Sequence, residues 1–171
     1  MFCGFDFSLI KNVPSLSLIL SYSEMLEKTH PKISAALQSY AMCLIENEIF
    51  TLGPIPELEK GFNLLKSRAE KSVKANPEEL EIFADKILAL NTKSNDVVFL
   101  AYVCYTSISQ FKLLSPEITK KITSIQDKIS EPSGPTPILL AEIARNCFKN
   151  QNYDLSMAAL LAAISELEKG L

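Results

Sequence analysis

Ser115-Pro116-Glu117-Ile118-Thr119-Lys120-Lys121-Ile122-Thr123-Ser124-Ile125-Gln126-Asp127-Lys128-Ile129 is the stretch whose reading decides the fold. A Ser able to cap, a Pro whose missing N–H has no partner in a first turn anyway, and an acid beside the positive end of a helix dipole mark a helix start. Four Ile then recur at spacings of 4, 3 and 4, while the lysines, Gln126 and Asp127 fall elsewhere. That is one stripe of a 3.6-residue period, and we read it as a lid on a helical bundle rather than a helix made for a partner's groove.

The same grammar runs outward along the chain. None of the nine prolines interrupts a periodic apolar segment, and Asn76-Pro77-Glu78-Glu79 and Thr136-Pro137 repeat the cap-then-Pro start. Helical spacing recurs in Leu16 and Leu20; Leu37, Met42 and Ile45; Leu58, Phe62 and Leu65; and Leu80, Phe83, Ile87 and Leu90. Strand alternation is absent. The pattern predicts an all-α fold of about eight helices, near 15–28, 31–50, 56–74, 77–91, 96–113, 116–130, 137–149 and 153–169. A polar run, Asn91-Thr92-Lys93-Ser94-Asn95, divides the fourth from the fifth. Ser130-Glu131-Pro132-Ser133-Gly134-Pro135-Thr136 is the one stretch with linker composition. It divides the chain into a helical body over 1–130, a linker over 131–136 and a hairpin of two helices over 137–171.

The last helix poses a problem of cover. Leu155-Ser156-Met157-Ala158-Ala159-Leu160-Leu161-Ala162-Ala163-Ile164 is apolar on almost every side, and a hairpin partner covers one face only. About 35 residues are too few for a core of their own, so the hairpin either docks on the body or pairs with another chain. Ala158, Ala159, Ala162 and Ala163 suit close helix approach in both cases.

Composition narrows the function. With 17 Lys+Arg against 20 Asp+Glu there is no positive excess to neutralise phosphates, so nucleic-acid binding is not expected. Gly is scarce at five residues, only Gly61 lies inside a predicted helix, and no Gly-rich phosphate loop occurs. The longest apolar run, Val97 to Tyr105, spans nine residues, about half of the roughly 20 that cross a bilayer. Membrane insertion is not expected. The opening Met1-Phe2-Cys3-Gly4-Phe5-Asp6 has no basic region and no small-residue cleavage site, which predicts an intracellular protein.

Candidate chemistry is sparse. Cys3, Cys43, Cys104 and Cys147 lie 40 or more residues apart and form no CxxC pair, so they read as packed free thiols and no metal is expected. His30, the single histidine, sits at a helix start and reads as a cap; a pocket holding it with a carboxylate would favour catalysis instead. Glu24, Glu27, Glu46, Glu48, Glu78, Glu79 and Glu81 have no ligand spacing and read as solvated or first-turn acids. Lys66, Arg68, Lys71 and Lys74 read as a salt-bridged face of one helix, near Glu57, Glu59 and Glu70. With no nucleophile–base pair in view, the sequence predicts no enzyme and no cofactor.

Two stretches carry a family resemblance. Pro14 to Asn47, with Leu16, Leu20, Glu24, Pro31 and Tyr40-Ala41-Met42, resembles the opening helices of the Vta family, cofactors of the AAA ATPase that disassembles ESCRT-III. Phe83-Ala84-Asp85-Lys86, Tyr102, Tyr105, Ser107 and Phe111-Lys112-Leu113-Leu114-Ser115-Pro116-Glu117 resemble that family's second microtubule-interacting-and-trafficking (MIT)-like bundle. The hairpin, from Ala141-Glu142-Ile143-Ala144-Arg145 through Asn152-Tyr153-Asp154-Leu155 and Ala158, is similar to the short hairpin by which Vta proteins dimerise and bind the ATPase. A single tetratricopeptide-like pair would fit the hairpin nearly as well. Family members join bundle to hairpin through a long linker, and here it is short.

The resemblance implies tandem MIT-like bundles that receive helical tails of ESCRT-III subunits. It implies a homodimer formed through Leu160, Leu161, Ile164 and Leu167, and Arg145 and Lys149 turned to acidic residues of the ATPase. It also implies a place in the cytoplasm, peripheral on endosomes, in multivesicular body sorting. The alternative from another class is a stand-alone helical adaptor that binds a peptide without touching an ATPase. That alternative predicts a monomer with its hairpin docked.

Overall fold

The computed structural model describes the chain except residues 1, 3, 12, 14, 91–94, 128, 130–140, 142, 143, 146, 150, 170 and 171, and except the side chains of 8, 96, 162 and 165–169. It is all-α. Six helices make the body: α1 (Leu16–Leu26), α2 (Pro31–Leu52), α3 (Pro56–Ala69), α4 (Pro77–Ala89), α5 (Asn95–Ser107) and α6 (Pro116–Gln126). The described residues of 141–149 are helical and are labelled α7, and α8 is Tyr153–Lys169. Short 3-10 turns occupy Phe7–Leu9 and Ile108–Gln110. The segment read as a linker, and the predicted helix start at Thr136-Pro137, lie outside the described residues.

Proline opens α2, α3, α4 and α6, as the sequence predicts. At α4 the Glu79 N–H donates to Asn76 Oδ1 at 2.7 Å and the Asn76 N–H donates to Glu79 Oε2 at 3.2 Å, a reciprocal box that satisfies two donors at the helix start. At α6 the Ile118 N–H donates to Ser115 Oγ at 3.2 Å. His30 takes the position before Pro31, but its ring makes no capping bond. Five helices stop short of expectation: α1 and α4 by two residues, α6 by four, and α3 and α5 by more. In α5, Thr106, Ser107 and Ser109 turn their hydroxyls back onto the carbonyls of Val103, Cys104 and Thr106, competing with the helical ladder. In α3, Lys71 and Ser72 bond three residues back to Arg68 and Ala69, tightening the end, so Lys71 and Lys74 lie beyond the helix.

Packing follows the apolar stripes. In the first half α2 lies against both α1 and α3; in the second, α5 lies against both α4 and α6. Ile118 and Ile125 are buried and Ile122 and Ile129 are packed against the core, so the isoleucine stripe is a lid. The halves meet where α5 touches α1 and α2, with the Tyr22 and Phe99 rings 6.2 Å apart and Gln110 Nε2 donating to the Ala36 carbonyl at 3.0 Å. α1 is the most enclosed helix: Leu16, Leu18, Ile19, Leu20, Tyr22, Ser23, Met25 and Leu26 are all buried. Its cover comes from α2, α5, α8 and the arm ahead of it. In that arm Phe2, Phe5, Phe7, Ile10 and Val13 are buried.

The second half is tied by one polar cluster. Lys121 Nζ on α6 donates to Asp85 Oδ1 at 2.7 Å and Glu81 Oε1 at 3.3 Å, both on α4, and the Tyr105 hydroxyl on α5 donates to the same Asp85 oxygen. Burial pushes the Asp85 carboxyl up, but the bonds from Lys121 and Tyr105 outweigh it and hold it below the usual range. A carboxyl lowered by folding contributes stability above its unfolded pKa of about 4, and that contribution is lost as pH falls through the folded value. We expect Asp85→Asn to melt a little below the parent at pH 7 and to converge with it near pH 2, by circular dichroism melts; parallel curves at both pH values would show that the cluster carries no linkage.

Candidate protein-docking surface on the helical hairpin

The hairpin is closed by its turn. The Gln151 N–H donates to the Phe148 carbonyl at 3.0 Å and the Asn152 N–H to the Cys147 carbonyl at 2.9 Å, the paired bonds of a Schellman stop, with Gln151 at φ 58°. That stop reverses the chain into α8. Ser156 Oγ then donates to the Ala144 carbonyl at 2.8 Å, fastening α8 to α7 from a buried position.

Closure gives the two faces of α8 different fates. Leu155, Ala158, Ala159 and Ala163, with Ala144 and Cys147 of α7, are buried, and α8 lies against α1. The small residues let it approach closely, so the hairpin shares the body's core: docking is the arrangement found. Outward go Tyr153, Met157, Leu160, Leu161 and Ile164, each between 39% and 57% exposed. They follow helical spacing, so they form one stripe. The Phe148 ring, itself exposed, meets Tyr153 edge-to-face at 5.5 Å and extends the stripe onto α7. Arg145 and Lys149 are exposed three residues before and one after Phe148.

The residues singled out in the sequence therefore gather on this outer face. Leu160, Leu161, Ile164, Arg145 and Lys149 all lie there, and the side chain of Leu167 falls outside the described residues. The sequence reading missed Phe148, Tyr153 and Met157. The 153, 157, 160, 164 spacing was there to be read, but a helix apolar all round does not say which side turns inward. A partner seated on this face would meet an apolar strip edged by two cations.

A second feature lies at the seam between hairpin and body. A crevice of about 440 Å³ runs between the start of α2, α4 and the start of α8, with His30, Glu79, Phe83, Lys86, Asp154 and Leu155 among its walls. The His30 ring lies 5.0 Å from that of Phe83, and its Nδ1 is 3.1 Å from Thr29 Oγ1. Lys32 Nζ reaches Glu79 Oε1 at 2.7 Å across the same crevice. Beside the ring stand the Thr29 hydroxyl and, among the crevice walls, the carboxylates Glu79 and Asp154. Burial, opposed by Asp154 and aided by Lys86, holds the imidazole below its ordinary pKa.

Cys104 and Cys147 are wholly buried and Cys43 half-buried; burial raises all three thiols, that of Cys147 to about 11. Among the described residues no three His, Cys, Asp or Glu side chains gather as a metal requires. Arg68 of the basic group pairs with Glu27 at the end of α1. Among the described residues no helix is long and apolar enough to cross a membrane. Neither a protein-family profile, nor a curated protein, nor a solved structure matches the chain.

A lowered His30 pKa works in one direction. The unfolded chain binds a proton near pH 6.5 that the folded one resists, so stability is full above that pH and falls as pH drops through the folded value. Asp154 of α8, Lys86 and Glu79 of α4 and Lys32 of α2 line the crevice with the ring. We expect the melting temperature to fall between pH 7 and pH 5 in the parent and to stay flatter in His30→Gln; identical slopes would show that the ring is solvated in the folded chain.

Proposed function

We propose that this chain is a non-enzymatic activator of the AAA ATPase that disassembles ESCRT-III. In this reading the helical body binds ESCRT-III tails, and the hairpin binds the ATPase as a homodimer, on the cytoplasmic side of endosomes. The observation that carries the proposal is the outward stripe of α8 beside Arg145 and Lys149. Docking consumes Leu155, Ala159 and Ala163 and leaves Leu160, Leu161 and Ile164 free for a second copy. A helix apolar on both faces needs two partners, and the body supplies one. The two cations at the edge suit acidic residues of the ATPase. Binding only the assembled ring would favour that oligomer by linkage and raise ATP turnover with no catalytic group supplied.

The body supports tail binding by its construction. Each half is a three-helix unit in which the central helix packs on both neighbours, an arrangement that an amphipathic tail could join as a further helix. A second reading has an observation of its own: the docked hairpin is what a stand-alone helical adaptor requires.

Two substitutions separate docking from dimerisation. Leu161→Asp places a charge on the outer stripe, so we expect self-association and ATPase activation to drop at least tenfold with helix content unchanged. Ala159→Asp buries a charge between α8 and the body, where it has no partner, and should cost several kcal/mol of stability. Light scattering, circular dichroism and turnover of an ESCRT-type AAA ATPase read the three quantities. A chain that is monomeric at every concentration and leaves turnover unchanged would overturn the activator reading in favour of the adaptor.

A further inference from the structure

The arm ahead of α1 fills a seam between helices. α1 and α3 each pack on α2, and the described residues of 2–13 lie between them: the Phe7–Leu9 turn rests on α1, while Phe7 and Ile10 reach Gly61 of α3. Phe2, Phe5, Phe7, Ile10 and Val13 are all at most 8% exposed. Phe5 and Phe7 pack edge-to-face at 4.8 Å, and two cations of α3 sit over the outer rings, Arg68 at 4.8 Å from Phe2 and Lys60 at 5.4 Å from Phe5. Arg68 also pairs with Glu27 of α1, closing the seam over the end where Phe2 lies.

Gly61 shows that the helix is cut to receive the arm. A glycine inside a helix costs about 1 kcal/mol against alanine. Here a Cβ would come within 2.9 Å of Ile10 Cδ1 and 3.1 Å of Phe7 Cε1, so the missing methyl is the space the arm occupies. Yet the arm's attachment differs from that of a helix. Its backbone bonds close on itself, Phe2 with Phe5 in both directions, Leu9 to Asp6 and Ile10 to Phe7, and Gly4 turns the chain at φ 75°. Rings and aliphatic side chains hold it to the body, and a cleft of about 310 Å³ opens where Ile10 and Lys11 meet Ile55, Glu57 and Leu58. Among the described residues the backbone bond from arm to helix is the one the Leu16 N–H donates to the Val13 carbonyl at 3.4 Å, at the junction with α1, so the arm ahead of it can leave as a unit without breaking a helical ladder.

We propose that residues 2–13 are an internal ligand of the seam between α1 and α3, holding closed a docking site for a partner segment rich in aromatic and aliphatic side chains. Given the tail-binding role of the body, on which this proposal rests, an ESCRT-III tail must displace the arm before it seats there. The incoming segment must replace the rings under Arg68 and Lys60 and the side chains against Gly61.

The test uses the full chain and a fluorescent peptide of residues 1–14 as the probe. The double variant Phe5→Ser/Phe7→Ser loosens the resident arm and leaves α1 to α8 unaltered in sequence. By anisotropy, the peptide should bind that variant at least tenfold more tightly than the parent, whose own arm competes. Equal affinity for both, or no binding to a variant with parental helix content, overturns the proposal. Loss of helix content in the variant also overturns it, since the arm is then indispensable core. Gly61→Ala gives an independent arm: hydrogen exchange at arm amides should accelerate at least tenfold while α2 stays protected, and unchanged arm protection contradicts the proposal. Because the probe is the arm's own sequence, failure here leaves the ATPase activator reading standing, and failure of that reading leaves this result intact.

Discussion

Eleven residues, Leu16–Leu26, set the terms for the whole molecule. A helix that short is marginal in water, and one that is apolar on nearly every side cannot be stabilised by a single neighbour. α1 must be enclosed, and each enclosing element comes from a different part of the chain: α2 beside it, α5 from the second half, α8 from the far end and the arm ahead of it. Burying one such Leu or Ile side chain contributes about 1.5–3 kcal/mol, so exposing any side of α1 is costly. Two three-helix units and a hairpin thereby become one body with one core.

Function follows from what that enclosure uses and what it leaves. The hairpin spends its small inner residues on α1, and its large outer residues remain in solvent. Docking on α1 fixes which side of α8 faces solvent, the arrangement that our proposed partner contact requires. At the opposite extreme, the arm covers α1 with rings and no helical ladder. The two covers differ in construction, a docked helical hairpin on one side of α1 and an irregular aromatic arm on another.

Much of this was legible because proline and its caps punctuate the chain. The starts at Pro31, Pro56, Pro77 and Pro116 were read to the residue, and the isoleucine stripe gave both the class and the inward face of α6. Helix ends were harder: α5 gives way at Ser107 to the 3-10 turn Ile108–Gln110, and no proline or glycine marks that change in the sequence. The outward residues of α8 were half legible. Their types were visible, but the inward face is chosen by α1, which is more than a hundred residues away in sequence. His30 was placed correctly and assigned the wrong work, because the neighbour that claims its ring, Phe83, comes from another helix. The arm was invisible to periodicity: Phe2, Phe5, Phe7 and Ile10 follow neither a helical nor a strand repeat, and Gly61 is the trace they leave in the helix opposite.

The central claim is that the hairpin and the body share one core, and two native thiols report on it directly. Cys147 is buried in the hairpin and Cys104 in the second half of the body, both with no exposed surface. Their alkylation by a small reagent, followed residue by residue by mass spectrometry across a denaturant series, measures the opening that exposes each. The account predicts that the two thiols become reactive together, with the same denaturant dependence. Free reaction of Cys147 under conditions where Cys104 stays protected would show a hairpin that stands apart from the body, and would contradict it.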